Sequence, residues 1–256
     1  MVLFGGDIHG QWQHIVSSIK KYKISDSAIF IAGDIGIGFD YWQKYKKTIL
    51  YYSDIFHRKN IRIYCIRGNH DDPHFFSGNY DTFNIKFLPD YSIIEEENIR
   101  VLCIGGGVSI DRIERNGYLS HIGRISNNKI YHDWWYDENA QYDSDAIEKI
   151  TGRIDAVVTH VSPNKSHVDS SLSSVVEMYA KRDELLVSDL LKEEETMKKI
   201  RSHILKKNLG IKCWFIGHYH HYKKVYEDGI NYIYLDIEND FMNKKYKFEN
   251  IDLYKK

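Results

Sequence analysis

Residues 61–71 have the sequence IRIYCIRGNHD, an apolar run followed directly by a polar group. The run at residues 61–66 is rich in β-branched side chains, which is typical of a strand buried on both faces. The polar sequence GNHD follows at residues 68–71. Layered α/β folds place functional side chains just beyond the carboxyl ends of parallel strands. The stretch therefore predicts a strand that ends at a polar site.

The same arrangement recurs at four other places along the chain. Residues 2–4, 28–32, 156–159 and 213–216 are short apolar runs, and acidic or histidine side chains closely follow each one. These side chains are Asp7 and His9, Asp34, His160, and His218 and His220. Residues 12–22 and 41–56 have the periodicity of amphipathic helices, so the N-terminal third is predicted as β-α-β-α-β around a parallel sheet.

The remaining elements are predicted from periodicity and turn signals. Runs at residues 92–95 and 100–104 predict an antiparallel hairpin, and residues 230–237 predict a further strand. Helices are predicted over residues 137–150 and over residues 171–209, the latter with a break near Arg182 and Asp183. Residues 111–136 form an aromatic and Asn-rich loop. With no repeat or linker, the chain is predicted as one domain, residues 1–256, with a helical insert at about 171–209.

Composition limits the classes of function. The 256 residues are 43% hydrophobic and 28% charged with a net charge of −1, which excludes a disordered chain and gives no overall basic field for nucleic acid or anionic lipid. The three cysteines show no C-x-x-C spacing, which favours a reducing compartment. No apolar run is long enough to cross a bilayer, and the N-terminus lacks a basic signal region. We therefore expect a cytoplasmic protein without a membrane partner.

The polar residues at the strand ends form a set of carboxylate, carboxamide and imidazole groups. Such groups suit Mn, Fe, Zn or Co, and the lack of thiolates disfavours a closed structural zinc site. Taken singly, each group has an ordinary structural explanation: Gly and Asp are common in turns, and a lone histidine is more often a solvated or core residue than a ligand. Five groups of suitable type, each after a predicted strand, indicate a catalytic metal site.

The order of these groups resembles the calcineurin-like metallophosphoesterase family, and the stretch at residues 108–135 looks like a segment of its small bacterial and phage members. The family pattern D-x-H, G-D, G-N-H-D, H and G-H-x-H corresponds here to residues 7–9, 33–34, 68–71, 160 and 217–220. The resemblance spans most of the chain. It implies an α/β fold, the four-layered α/β/β/α metallophosphoesterase sandwich, and a metal-dependent phosphoesterase that hydrolyses phosphate esters.

The resemblance also implies a role for each matching residue. Asp7, His9 and His220 would bind one divalent ion, Asn69, His160 and His218 would bind the other, and Asp34 would bridge them. Manganese is the first expectation for both ions, with Fe, Zn, Ni or Co as alternatives. A hydroxide shared by the two ions would attack phosphorus. His70, steadied by Asp71, would supply a proton or positive charge to the leaving oxygen.

One departure concerns the substrate phosphate. The sequences at residues 6–11 and 67–70 look like those of the serine/threonine phosphoprotein phosphatases, but that branch carries an arginine shortly after its G-D pair. No arginine lies between Asp34 and Arg58 here, which disfavours protein phosphatase activity. Arg112 is the favoured replacement, with Arg115 or Arg124 as alternatives, and Arg67 is a second candidate for substrate contact. The competing interpretation is that these are ordinary surface arginines.

Three functions remain in competition. The first is a phosphomonoesterase acting on a phosphorylated small molecule, a nucleotide or a phosphoprotein. The second is a phosphodiesterase, nuclease or dinucleoside polyphosphate hydrolase, although the net charge does not indicate nucleic acid. The third is a metal-binding interaction module without catalysis, which predicts a broken ligand group or a replaced His70. Neither defect is present.

Overall fold

Two β-sheets lie face to face and helices cover their outer sides. The computed structural model describes residues 1–39, 42–115, 125–126, 129–130, 134–168, 172–236 and 248–254. The strands of these residues are, in chain order, β1 Val2–Gly5, β2 Ser27–Ile31, β3 Ile61–Cys65, β4 Ile85–Phe87, β5 Ser92–Glu96, β6 Ile99–Ile104, β7 Ile125–Ser126, β8 Lys129–Ile130, β9 Ala156–Thr159, β10 Cys213–Ile216, β11 Lys223–Glu227, β12 Ile230–Tyr234 and β13 Glu249–Asn250.

The α-helices are named in the same way. They are α1 Trp12–Lys21, α2 Trp42–His57, α3 Ser144–Glu148, α4 Leu172–Ala180 and α5 Leu186–Lys206, with a further helical turn at residues 112–115. Short 3-10 helices lie at Pro73–Ser77, Lys165–His167 and Ile251–Tyr254. None of the described helices is long and apolar enough to cross a membrane.

The first sheet has the strand order β13-β1-β2-β3-β4. Strands β1 to β4 are parallel, and β13 is antiparallel to β1. Because α1 and α2 connect β1, β2 and β3, the predicted β-α-β-α-β unit is confirmed. The predicted start of α2 at Tyr41 lies outside the described residues.

The second sheet has the strand order β11-β12-β10-β9-β6-β5. Strands β6, β9, β10 and β12 are parallel, while β5 and β11 pair antiparallel at the two edges. The predicted hairpin is β5 and β6, and its turn residues Glu97 and Asn98 both have positive φ, as the tight hairpin turn requires. A third, two-stranded sheet pairs β7 with β8.

Alternation of side chains along the strands builds the layers. In β2, Ile29 and Ile31 face α1 and α2, whereas Ala28 and Phe30 face the second sheet. The rings of Phe4 and Phe215 stack between the two sheets with centroids 3.7 Å apart. Fully burying one such side chain stabilises the fold by about 2–3 kcal/mol. The core between the sheets therefore fixes their relative position.

The second sheet is covered on its outer side by α3 and α5. Ile147 of α3 and Met197, Ile200 and Ile204 of α5 are buried there against side chains of β6, β9 and β10. Since α1 and α2 cover the first sheet, the order of layers is helices, sheet, sheet, helices. The α/β/β/α sandwich is confirmed.

Other sequence predictions hold with different boundaries. The helix predicted over residues 137–150 is only α3, which begins after its N-cap Asp143. The predicted helical region 171–209 is α4 and α5, with residues 181–185 between them. The strand predicted to residue 237 ends at Tyr234, and Ile237 lies outside the described residues, as does residue 171. Within the loop predicted at residues 111–136, residues 112–115 form a helical turn and residues 125–126 and 129–130 form β7 and β8, and much of the rest lies outside the described residues. The domain extent, residues 1–256, stays a prediction.

Candidate metal centre

Five strands of the two sheets bring the candidate ligands together. Ligand atoms of one group, Asp7, His9, Asp34 and His220, all lie within 4.8 Å of one another. Ligand atoms of a second group, Asp34, His160 and His218, do so as well. The two groups follow the carboxyl ends of β1, β2, β9 and β10, and Asn69 joins them from the end of β3. The Asp34 carboxylate belongs to both groups.

The backbone is bent sharply to aim these side chains. His9, Asp34, His218 and His220 have φ values of 42°, 49°, 68° and 52°, in the left-handed region that non-glycine residues avoid. This conformation costs about 1–2 kcal/mol per residue. Strained residues gathered in this way are typical of functional sites, where the rest of the fold holds them in place.

A glycine precedes Asn69 and allows the strand ends to approach each other. A Cβ atom on Gly68 would collide with both the carboxylate and the backbone nitrogen of Asp34. Any side chain at this position would separate β2 from β3 at the site. The G-N and G-D pairs of the sequence are therefore requirements of close packing as well as turn chemistry.

The orientation of His160 makes its Nε2 a free acceptor. Its Nδ1 lies 2.7 Å from the carbonyl oxygen of Ala32, so Nδ1 carries the proton and donates it there. The Nε2 lone pair then faces Asn69 Oδ1 at 2.9 Å and Asp34 Oδ1 at 3.3 Å. One nitrogen and two oxygen atoms that can each donate a lone pair therefore converge here. Such a set fits a cation, and the carbonyl that fixes the histidine tautomer is typical of metal sites.

A buried chain of hydrogen bonds orients Asn69. Glu138 accepts from the backbone N–H of Ser109 at 2.6 Å and from its hydroxyl at 2.7 Å. With its proton committed to Glu138, the Ser109 hydroxyl accepts from Asn69 Nδ2 at 3.2 Å. The amide nitrogen of Asn69 is thus held away from the centre, and its Oδ1 faces His160.

Asp7 holds the other side of the centre. Its carboxylate accepts the backbone N–H of His218 at 3.0 Å and lies 3.0 Å from His220 Nε2. Burial acts to raise the pKa of Asp7, but the hydrogen bond with His220, the charge of His220 and the backbone N–H of His218 outweigh it, and the pKa is lowered. His9 Nε2 lies 3.3 Å from His220 Nε2. Asp7 is therefore ionised and is an anchor for two histidines.

Burial controls the electrostatics of the remaining ligands. It raises the pKa of Asp34 well above its usual range, and the carboxylates of Asp7 and Asp71 raise it further. It lowers the pKa of His9 and His160, and that of His218 to about 3. These three imidazoles are neutral near pH 7, which is the form that binds metals. Buried acidic groups beside neutral imidazoles fit the positive charge of divalent cations.

His70 lies beside the centre and next to an arginine. Its Nδ1 is 3.5 Å from Arg115 Nη1, and its ring meets His9 edge-on with centroids 5.1 Å apart. Burial and the charge of Arg115 lower the pKa of His70 to about 2. Since a guanidinium only donates, the His70 proton lies on Nε2.

Asp71 contacts the backbone of the neighbouring loops. Its two carboxylate oxygens accept the N–H groups of Ile35, Gly36, Ile37 and Gly68, at 2.8–3.1 Å. Burial raises the pKa of Asp71 to about 6, against these hydrogen bonds. Asp71 therefore fixes the loops that carry Asp34 and Asn69, and its steadying of His70 acts through the backbone.

The arginines predicted to contact substrate are placed differently. Arg112 pairs with Asp183 at 2.5 Å and Asp189 at 2.9 Å. Arg67 is buried and donates to Asp90 and to the carbonyl oxygens of residues 137–139. Both side chains are engaged inside the protein. Arg115, named as an alternative, pairs with Asp111 at 2.7 Å and also lies beside His70. Arg124 lies outside the described residues.

Comparison with known proteins agrees with this geometry. The model of the family described as calcineurin-like phosphoesterase matches residues 1–222. The chain belongs to the calcineurin-like phosphoesterases. Its general reaction class is accordingly metal-dependent hydrolysis of phosphoesters. The match includes every candidate ligand as far as His220.

Other comparisons give more distant similarity. No curated protein matches the sequence significantly. The chain is similar to the phosphopantetheinyl hydrolase PptH of Mycobacterium tuberculosis, with 11% identity, a TM-score of 0.44, and 95% of this chain and 92% of that chain covered. It is also similar to GAP50, described as the anchor in the inner membrane complex of Plasmodium, with 14% identity, a TM-score of 0.41, and coverages of 92% and 70%.

Three residues near the centre carry no recognisable signal in the sequence. Ser109 and Glu138 orient Asn69, and Glu193 of α5 accepts the backbone N–H of Val108 at 2.6 Å. Burial raises the pKa of Glu138 to about 7 and that of Glu193 to about 8. In the sequence both glutamates resemble ordinary surface residues, and only the fold brings them to the same loop.

Proposed function

We propose that this calcineurin-like phosphoesterase hydrolyses phosphate esters at a centre of two divalent cations that share Asp34. The observation that carries the proposal is the position of the Asp34 carboxylate, which belongs to two separate groups of ligand atoms. A carboxylate with an oxygen toward each group is suited to bridge two cations.

The remaining ligands divide between the two positions. Asp7, His9 and His220 would hold one cation, and Asn69, His160 and His218 the other. The nitrogen and oxygen donors suit Mn²⁺ first, with Fe, Zn, Ni and Co as alternatives. When bound, the two cations polarise the phosphoryl oxygens and lower the pKa of the attacking water.

Residues beside the ligands would act on the leaving oxygen. His70, with its proton on Nε2, would donate a hydrogen bond to that oxygen as negative charge develops there. Arg115 would supply the positive charge, because burial keeps the His70 imidazole neutral. This division of roles is supported by the 3.5 Å separation of the two side chains.

The test compares two esters with one leaving group. Protein stripped of metal and reloaded with Mn²⁺ is assayed with p-nitrophenyl phosphate and bis-p-nitrophenyl phosphate. We expect hydrolysis that depends on Mn²⁺, and the preferred ester assigns the enzyme to the monoesterases or the diesterases. The Asp34→Asn variant should be inactive, while Glu195→Gln, which changes an exposed carboxylate on α5, should match the unmodified protein. Binding of Mn²⁺ without hydrolysis of either ester would count against the proposal.

The cellular setting is proposed from the thiols. Cys65, Cys103 and Cys213 are free and buried, which is consistent with a reducing compartment. We place the protein in the cytoplasm. Its substrate there would be a phosphorylated small molecule, a nucleotide or a phosphoprotein.

A further inference from the structure

The metal centre opens into a large cavity under the helical insert, defined here as α4 and α5. The cavity has a volume of about 900 Å³. Its floor includes Asp34, His70 and His218 of the centre, and its roof comes from the insert. A volume of this size is typical of pockets that enclose most of a small organic ligand. A phosphate at the metal centre would therefore lie at one end of a much larger space.

The roof of this cavity is apolar. Val175 and Val176 of α4 and Val187 and Leu190 of α5 line it, and Val168 and Ile110 extend the apolar surface toward the floor. Val175 is 39% exposed and Val187 is 49% exposed. Two helices thus turn branched apolar side chains into an open space that leads to the metal centre. A contiguous apolar surface of this kind indicates a binding site.

The charges around the cavity disfavour a polyanion. Outside the metal centre, the charged lining among the described residues consists of four acidic residues, Asp111, Glu177, Glu193 and Glu194, and one basic residue, Lys165. Lys165 is paired with Glu194 at 3.1 Å. Asp111 is likewise paired with Arg115 at 2.7 Å. Because the one basic residue of the described lining is already paired with a carboxylate, this lining provides little attraction for the further phosphates of a nucleic acid or polyphosphate.

We propose that this cavity binds the hydrocarbon part of the substrate, so that the enzyme acts on a phosphate ester of an apolar, uncharged alcohol. The proposal rests on the proposed function, because the phosphate must lie at the metal centre for its alkyl or aryl group to lie under the insert. We infer this occupant because the apolar roof and the metal centre belong to one continuous cavity, which Leu190 and Val187 line together with His70 and His218.

Chain length is the variable that tests the proposal. Mn²⁺-loaded protein is titrated with n-alkylphosphonates from ethyl to octyl, below their micelle concentrations. Hydrolysis is measured with the corresponding n-alkyl phosphates and with alkyl p-nitrophenyl phosphate diesters. Full burial of one methylene corresponds to about fourfold in affinity. We expect Kd to fall about two- to fourfold per added methylene up to at least hexyl, with kcat/KM rising in parallel.

Matched variants locate the effect in the roof. The double variant Val175→Asn with Val187→Asn should make the Kd nearly independent of chain length while leaving the affinity for ethylphosphonate within about threefold. The control carries Met178→Asn with Leu191→Asn, exposed apolar residues of the same two helices that do not line the cavity. This control should retain the full dependence on chain length.

The outcomes separate this proposal from the proposed function. Affinity that does not change with chain length, or equal loss in both double variants, overturns the cavity proposal even if hydrolysis is normal. Conversion of a dimer to a monomer by the Val175 and Val187 changes also overturns it, because the roof would then be an interface between two copies. Length-dependent binding without hydrolysis of any ester supports the cavity and refutes the proposed function.

Discussion

Asp34 is a buried carboxylate, and its acidic neighbours make its ionised form destabilising in the metal-free protein. The residue is 1% exposed, and the carboxylates of Asp7 and Asp71 add to the effect of burial on its pKa. Because the pKa is raised in the folded state, the unfolded chain releases this proton more easily. The free energy of unfolding of the metal-free protein therefore decreases as the pH rises above the usual carboxyl range.

The Asp34→Asn substitution should accordingly stabilise the metal-free protein near pH 7. We expect the free energy of unfolding to increase by about 1 kcal/mol, or the Tm to rise by about 2–4 °C. The reason is that an amide at this position carries no charge yet still accepts the backbone N–H of His70. Thermal melts with and without Mn²⁺ measure it. In excess Mn²⁺ the order should reverse, since bound cations stabilise only the folded protein that retains Asp34. A metal-free variant that melts lower than the unmodified protein at pH 7 would contradict this explanation.

In the proposed mechanism, His70 assists departure of the leaving group. The His70→Asn variant should retain its Mn²⁺ content, because His70 is not among the candidate ligands. Its kcat/KM should fall about 100-fold for esters with poor leaving groups and less than about 10-fold for p-nitrophenyl esters. Kinetics over a series of substituted phenyl phosphates measure the difference. Equal losses across the series would remove His70 from this role.

Glu138 acts on the centre through Ser109 and Asn69. In the Glu138→Gln variant the side-chain NH₂ group competes for the Ser109 hydroxyl, so the Asn69 amide loses its fixed orientation. We expect about 10- to 100-fold weaker binding of one of two Mn²⁺ ions, with the other unchanged. Isothermal titration with Mn²⁺ measures both steps. The Ser109→Ala variant should give the same pattern, and equal weakening of both steps would mean a general loss of structure.

At the scale of elements, two arginines of one helical turn have separate partners. Arg112 joins residues 112–115 to Asp183 and Asp189 at the start of α5, whereas Arg115 lies beside His70. The same turn therefore connects the insert to the metal centre.

Substitution of each arginine should separate these two functions. Arg112→Ala should accelerate amide hydrogen exchange in the first turns of α5, since the ion pairs that hold them are lost, and should leave KM for a p-nitrophenyl ester within about threefold. Arg115→Ala should lower kcat/KM about 10- to 100-fold, as expected for loss of a charge near the leaving oxygen. Exchange mass spectrometry and steady-state kinetics measure the two effects. A larger kinetic loss in the Arg112 variant would restore Arg112 as the substrate residue.

The elements that the sequence predicted best are those whose side chains face the core. Residues 156–159 and 213–216 were predicted as strands and form β9 and β10 with the same bounds, because continuous apolar runs have few alternatives to burial in a sheet. The helix predicted over residues 137–150 was too long. Its first residues are held in irregular structure by Arg67, which binds the carbonyl oxygens of residues 137–139. Periodicity contains no information about such tertiary contacts.

At the scale of the whole molecule, strand ends from both sheets meet at one edge of the sandwich. The sequence predicted this meeting because His160 directly follows one apolar run and Asp34 follows another after a single glycine. It did not predict the cavity, whose roof depends on where α4 and α5 lie. Their position is set by contacts between residues far apart in the sequence. Glu193 contacts Val108 across 85 positions, and Arg112 contacts Asp183 across 71 positions. Such pairs leave no local pattern.

The shared carboxylate of Asp34 is tested most directly by the number of Mn²⁺ ions bound per chain. Metal-free protein is dialysed to equilibrium against Mn²⁺, and the bound metal is measured by mass spectrometry for the unmodified protein and for Asp34→Asn. We predict two ions per chain in the unmodified protein and at most one, weakly held, in the variant. One ion in the unmodified protein, or two in the variant, would contradict a centre built around Asp34.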